Sequence, residues 1–452
     1  MSVVIDKSSL TKEQKKRIQK LLHFQPKSSF MATMYGKGEP PILFYQVEED
    51  KVRLPVSAAR VLVEVKERDY LHSNIDFIGT LLDKQQSVVE EAVEALKQHG
   101  SVLLHLPTGF GKTVIAAYLA CRSGLVCMVL LSFTILIRSW VETFNQFTNA
   151  RVWVVGEEMV QDPNIIICME ERCGKIPQKL VDNIGVLIVD ECHAFYTANR
   201  VKALLHCQPR HVIACSATPY TNKIPPEMLT ALVGPAKVYR PLDKTFEVTQ
   251  IKTGIVPEYT LTKQGYPNWS SINKNLADNQ QRNDLILEMV KINPHFKVLI
   301  LVWRSDHALA LTELFRANQI VTAVMTSNFK TYSDSRVLIG TINKLGTGFD
   351  EKMACPDFQG QRINLLILVG STKSTTLLEQ LAGRVFRAEM PHIVDIVDEL
   401  PLLNRHWKER LKWYQEHGAI IQWFLSYIGT IQSMVAPLED GLITVDSVII
   451  GW

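Results

Sequence analysis

The chain has 452 residues, 46% of them hydrophobic and 21% charged, with a formal net charge of +3. This is the profile of a soluble globular protein long enough for about three domains. The near balance of charge makes any basic groove for nucleic acid a local feature rather than a property of the whole chain.

Residues 1–80 carry no catalytic signature and read as a small β-containing accessory domain. The stretch 11–24 (TKEQKKRIQKLLHF) predicts a basic helix with Thr11 and Gln14 spaced as a capping box, its lysines reading first as a solvated face. Alternation across 41–63, around Glu49-Asp50, predicts a hairpin. From residue 81 the pattern changes to helices alternating with strands. A helix is expected at 87–98 and strands at 125–131, 152–155, 165–168, 186–189 and 212–215, with a further helix at 135–147. Such alternation defines a parallel sheet with its ligand edge at the strand carboxyl ends, here spanning 81–240. Residues 241–281, with prolines and a cluster of Asn and Ser, read as a linker or insertion with some β-content. A second α/β set occupies 282–425. Its expected strands are 298–302, 321–325, 337–339, 365–369 and 393–397, and an aromatic, basic helix is expected at 404–417. An apolar tail occupies 426–452.

The eight cysteines (Cys121, Cys127, Cys168, Cys173, Cys192, Cys207, Cys215 and Cys355) include no CxxC pair. Several lie in apolar runs, which points to reduced core thiols and a cytosolic or nuclear compartment. Cys168 and Cys173 lack a second pair at metal-binding spacing. The first residues hold Asp6 and Lys7 without an apolar leader, so secretion is not expected. The longest apolar run, 125–137, contains Ser132 and Thr134 and is too short to span a bilayer.

Chemistry concentrates at a few strand ends. The stretch 103–120 (LLHLPTGFGKTVIAAYLA) reads as strand, glycine loop and helix. Gly109 and Gly111 let backbone N–H groups turn onto phosphate oxygens, and the helix N-terminus adds its positive dipole end. Lys112 reaches β/γ-phosphates and the Thr113 hydroxyl suits Mg²⁺, with Thr108 in the same loop. Leu106 stands where the usual loop pattern has its first glycine. At 186–195 (VLIVDECHAF) a strand delivers Asp190 and Glu191 side by side. Alone, such a pair is a solvated turn; beside a phosphate loop, Asp190 can hold the metal and Glu191 can polarise the attacking water. Ser216 and Thr218 end the strand in 212–220 (VIACSATPY), where hydroxyls either cap the strand or relay between domains. The stretch 377–387 (LLEQLAGRVFR) reads as a largely buried helix with Gln380, Arg384 and Arg387 on one face. Buried arginines require an anionic partner, and ATP is the natural one.

LPTGFGKT, DECH, SAT, GTINKLGTGFD and QLAGRVFR, in this order, resemble the motifs of superfamily 2 helicases and translocases. The resemblance covers about residues 81–420 and is nearest to DEAD/H-type DNA helicases related to the XPB and phage repair groups. In layout it is nearest to the transcript-release DNA helicases of large cytoplasmic DNA viruses (poxvirus and asfarvirus type). It implies an α/β fold of two tandem RecA-like parallel-sheet domains, with ATP and Mg²⁺ as cofactors. It implies that Gln85 reads adenine and that Thr108, Gly109, Gly111, Lys112 and Thr113 hold phosphates and metal. By the same resemblance Asp190 holds the metal and Glu191 is the base, while His193 contacts Gln380 or the γ-phosphate side. Ser216 and Thr218 would couple hydrolysis to motion. Gly348 and Asp350 would face ribose and nucleic acid, and Arg384 and Arg387 would be arginine fingers.

The implied function is an ATP-dependent translocase or helicase on DNA rather than RNA, of 3′→5′ polarity, working with transcription or repair machinery. Two other readings stay open: an RNA helicase or remodeller, and an ATP-gated clamp that does not unwind. Only 11 residues separate the strands at 321–325 and 337–339, so the helix usual in that position is missing or reduced.

Overall fold

The computed structural model describes residues 1–25, 40–65, 68–220, 225–327, 329, 331–346 and 349–425. Gly348 and the tail at 426–452 lie outside these residues. The chain divides into two compact units, Met1–Leu242 and Asp243–Trp452.

The first unit opens with an antiparallel sheet of β1 (Ser2–Asp6), β2 (Gln46–Val47) and β3 (Lys51–Pro55), in the order β1-β3-β2. The hairpin turns at 48–50, where the paired acids favour solvent. Helix α1 (Lys12–Leu22) has the expected capping box: the Thr11 N–H donates to Gln14 Oε1 at 2.9 Å and the Gln14 N–H to Thr11 Oγ1 at 3.1 Å. A short helix α2 (Val56–Leu62) comes after β3. These elements are continuous with the large sheet of the same unit. Leu22, Phe44, Leu54 and Ala59 share one hydrophobic core with Leu103, Met128, Leu187 and Leu232, and Ser2 Oγ donates to the Leu205 carbonyl at 2.9 Å. Residues 1–80 thus pack as a flank of the first unit.

Helix α3 (Asp83–His99) leads to β4 (Ser101–His105) and α4 (Lys112–Ser123). Then come β5 (Val126–Leu131), α5 (Ile135–Phe147), β6 (Val152–Val154), β7 (Ile165–Met169), β8 (Ile184–Val189), β9 (His211–Ser216), α6 (Pro226–Val233) and β10 (Lys237–Tyr239). The seven strands β4–β10 form a parallel sheet in the order β10-β4-β9-β8-β5-β7-β6. Central strands such as Ile184–Val189 are buried along their whole length, as covering on both faces demands of a parallel sheet. All eight cysteines are free thiols and buried.

The second unit holds β11 (Glu247–Lys252), β12 (Val298–Val302), β13 (Thr322–Met325), β14 (Val337–Thr341), β15 (Leu365–Leu368), β16 (His392–Val397) and β17 (Ile420–Leu425). They make a second seven-stranded parallel sheet in the order β13-β14-β12-β15-β16-β11-β17. Its longer helices are α7 (Trp269–Asp278), α8 (Gln280–Ile292), α9 (Ser305–Ala317), α10 (Thr375–Ala382) and α11 (Pro401–Glu416). The stretch 241–281, which reads as a linker with some β-content, supplies an interior strand and a helix. Backbone pairing of β11 with β16 and β17 overrides the prolines and polar residues of that stretch. Between Met325 and Val337 no described residue is helical, in keeping with the short spacing.

The finger segment also differs from its sequence reading. Helix α10 ends at Ala382, and residues 383–387 run on as turns, so Gln380, Arg384 and Arg387 do not share a helical face. The physical reason is Arg384. Its guanidinium donates from Nη1 to the Phe349 carbonyl at 2.7 Å and from Nη2 to the Gly346 carbonyl at 2.8 Å, and this tertiary anchor replaces a further helical turn.

Candidate active site

In the first unit, β4 ends at His105 and the loop 106–111 delivers the chain into α4. Gly109 has φ 84° and Gly111 φ 97°, a region favouring glycine. A Cβ at Gly111 would also lie 2.3 Å from Gln85 Nε2 and would displace that amide from its bond to the Phe110 carbonyl. Gln85 is buried under the loop; its Oε1 accepts from the Leu82 N–H at 3.0 Å and its Nε2 donates to the Phe110 carbonyl at 3.1 Å. Lys112 Nζ folds back onto the carbonyls of Leu106 (2.9 Å) and Pro107 (3.2 Å). The loop therefore offers the N–H groups of a helix start and an ammonium held by neutral carbonyls, a set that fits a nucleotide's phosphates.

Strand β8, parallel to β5 and β9, ends at Val189 and places Asp190 and Glu191 at the carboxyl edge of the same sheet. Asp190 is buried, yet both its oxygens are engaged: Oδ2 accepts from the Trp140 indole N–H and Oδ1 from the Glu191 N–H, each at 2.9 Å. Burial, with the neighbouring Glu191 charge, pushes the Asp190 carboxyl up to about 6, against the pull of the Trp140 donor and of Lys112. Glu191 has φ 46° and ψ 52°, a left-handed conformation that a glutamate adopts only when its surroundings enforce it. A carboxylate pair of this kind, with Thr113 at the first turn of α4, fits a divalent cation bound alongside phosphates.

His193 Nδ1 lies 2.9 Å from Ser216 Oγ and 3.3 Å from Glu191 Oε2. Ser216 Oγ also accepts from the Thr218 N–H at 3.0 Å. The end of β9 and the acidic segment are thus tied through one hydroxyl. Burial lowers the His193 pKa to about 4, so the ring is neutral at physiological pH.

In the second unit, Gln380 is buried on α10, and Arg384 is buried with its guanidinium on the carbonyls of Phe349 and Gly346. Arg387 is ion-paired with Asp350, whose carboxylate also accepts from the Lys352 N–H at 2.9 Å. Burial alone would raise the Asp350 pKa, but the Arg387 charge and hydrogen bond, with Arg362, hold it below the ordinary carboxylate range. Sequence reasoning missed Trp140: a tryptophan on an apolar helix face reads as core, and nothing local marks its bond to Asp190.

Comparison with known proteins accords with this arrangement. The family described as "Type III restriction enzyme, res subunit" matches residues 78–221. The putative helicase 161L of Invertebrate iridescent virus 6 is 29% identical over 76% of this chain and 83% of its own. The putative helicase 109L of Invertebrate iridescent virus 3 is 30% identical over 51% of this chain and 77% of its own. The transcript termination protein A18 of Yaba-like disease virus is 23% identical over 71% and 72%. In fold, the chain is similar to S. cerevisiae Dbp5 bound to RNA and ADP BeF3, with a TM-score of 0.53 over 75% of this chain and 89% of that one at 11% identity.

Two RecA-like parallel sheets with these motifs define a helicase-type, nucleic-acid-dependent ATPase. The chain belongs to the superfamily 2 helicases of large DNA viruses. Membership implies ATP use and nucleic-acid binding. Among the described residues no helix is long and apolar enough to cross a membrane.

Proposed function

We propose that this chain is an ATP-driven translocase or helicase acting on DNA with 3′→5′ polarity, in viral transcript release. The observation that carries the catalytic part is the acidic pair at the end of β8, with Glu191 held in a left-handed conformation on the same sheet edge as Lys112. The likeness to a viral transcript termination protein supports the transcriptional part.

In this reading Thr108, Gly109, Gly111 and Lys112 cradle the phosphates of ATP, while Thr113 and Asp190 hold Mg²⁺ and Gln85 reads the adenine. Bound Mg²⁺ supplies charge neutralisation on the phosphates. Glu191 orients and polarises the attacking water. Arg384, Arg387 and Gln380 supply positive charge and hydrogen bonds to the γ-phosphate in the transition state; Arg387 exchanges Asp350 for phosphate in doing so. Asp350, so released, and Gly348 serve ribose and nucleic acid. His193, Ser216 and Thr218 transmit the state of the phosphate site to β9.

The test is ATP hydrolysis measured with no polymer, single-stranded DNA, duplex DNA and RNA in turn, and then fork unwinding. Stimulation by DNA and 3′→5′ displacement are expected. Stronger stimulation by RNA would turn the reading to an RNA remodeller, and hydrolysis without displacement to a clamp or translocase.

A further inference from the structure

The bond between Trp140 and Asp190 joins the middle of α5 to the end of β8. Trp140 is 1% exposed and sits on a different element from either acid. Its indole N–H has one acceptor, Asp190 Oδ2 at 2.9 Å, while Oδ1 is taken by the backbone N–H of Glu191. Two donors from two directions fix the carboxylate plane and leave one lone pair on each oxygen for a further ligand. Phe144 packs against Trp140 one turn on, ring centroids 5.8 Å apart, and takes no part in the hydrogen bond to Asp190.

We infer that Trp140 is a positioning residue for the metal site: it aims the Asp190 carboxylate at the divalent cation that accompanies the nucleotide. An indole donor suits that task, since it has no acceptor, cannot ionise and cannot itself compete for metal. Partners that orient a metal ligand in this way are worth about 10- to 100-fold in metal affinity. The inference rests on the reading of Asp190 as metal holder.

The experiment measures Mn²⁺ affinity by electron paramagnetic resonance in the presence of a non-hydrolysable ATP analogue, on the full chain. Trp140→Phe keeps an aromatic ring and deletes the donor. It should weaken Mn²⁺ binding about tenfold or more and leave metal-free nucleotide affinity unchanged. Phe144→Leu perturbs the packing without touching the bond and should leave Mn²⁺ affinity as in the parent. Asp190→Asn separates the two readings. If it leaves Mn²⁺ affinity intact, the metal reading itself is wrong; if it abolishes binding while Trp140→Phe matches the parent, only the role of Trp140 is overturned. Equal losses in Trp140→Phe and Phe144→Leu would also overturn it, because packing would then account for the effect. Should Trp140→Phe not fold, the parent labelled with ¹⁵N-indole decides. Addition of Mg²⁺ with nucleotide should shift one downfield indole N–H resonance that is protected from solvent exchange, and no shift in any protected indole would overturn the inference.

Discussion

The Lys112 ammonium rests 2.9 Å from the carbonyl of Leu106, and the Leu106 side chain is fully buried in the core beneath the loop. The loop uses the backbone of this residue and the core uses its side chain. A leucine is therefore accommodated where the usual pattern has glycine. Lys112→Ala should lower nucleic-acid-stimulated ATP hydrolysis by at least about 100-fold, since it removes the cation that reaches the β/γ-phosphates. Retained hydrolysis in a steady-state ATPase assay would remove the phosphate-loop assignment.

Arg387 carries a different expectation. Its pair with Asp350 is about three-quarters buried on both sides, so it is available for exchange at modest cost. Arg387→Ala should leave ATP affinity near that of the parent and lower kcat about 10³-fold, the effect of a lost arginine finger. Single-turnover hydrolysis beside fluorescent-nucleotide binding separates the two. A loss confined to affinity would assign Arg387 to ground-state binding.

Ser216 bridges His193 and the Thr218 amide. Ser216→Ala removes that bridge while leaving every phosphate and metal ligand in place. Hydrolysis should persist within about threefold, while strand displacement falls about tenfold, the worth of one hydrogen bond of about 1.4 kcal/mol. Parallel ATPase and displacement assays read the split, and equal losses in both would place Ser216 in the chemistry rather than in its transmission.

Buried histidines make stability depend on pH. Burial lowers His105, His193, His211 and His406 to about 4 and His307 to about 3, all from 6.5. A depressed folded pKa means that the unfolded chain binds protons that the folded one does not. The stabilisation is then complete above pH 6.5 and is lost as pH falls toward 4. His193 and His211, the more enclosed of those in the first unit, should each cost roughly 1 kcal/mol per pH unit inside that window. Thermal midpoints taken from pH 7 to 4.5 should fall, and His211→Gln should flatten the slope by about one proton. An unchanged slope would mean that His211 is solvated in the folded chain.

The buried ion pairs of the second unit include Arg282–Asp398 and Arg410–Asp395. Arg410 and Asp395 are 1% and 0% exposed; Nε and Nη2 of the guanidinium donate to the two carboxylate oxygens at 2.7 and 2.8 Å, and the Tyr414 hydroxyl donates to Asp395 at 2.9 Å. Arg410 Nη1 continues to Ser371 Oγ and the Thr372 carbonyl, at the start of the loop that leads into α10. Arg410→Ala strands a carboxylate in the core and should destabilise this unit by about 3–5 kcal/mol. Chemical denaturation with a probe in the second unit measures it. A cost below about 1 kcal/mol would show that water reaches Asp395.

Much of the fold and of the first unit's site is legible in the sequence because strands β4, β8 and β9 are continuous apolar runs that stop at polar residues. Their carboxyl ends, and the chemistry on them, are marked locally. Helix α5 is set by its own amphipathic period and runs as expected from Ile135 to Phe147. The failures are tertiary. β11 reads EVTQIK, mostly polar, yet two neighbouring strands give it pairs that no local propensity reports. The apolar period of α10 continues through Val385, but the guanidinium of Arg384 finds carbonyls 35 and 38 residues away and the helix stops. Trp140 and Asp190 are 50 residues apart, and only folding makes them partners.

The place of β11 also governs how the second unit is assembled. It is the first strand of its sheet to be synthesised, and it is enclosed by β16 and β17, the last two. Its backbone hydrogen-bonding groups have no complete set of sheet partners until the ribosome has passed residue 425. Closure of the second sheet is then a late, non-local event, slow by the entropy of the loop it must close. During that interval β11 is unpaired on both sides and β15 on one, and it is in this window, rather than in the finished protein, that the chain is most exposed to misassembly.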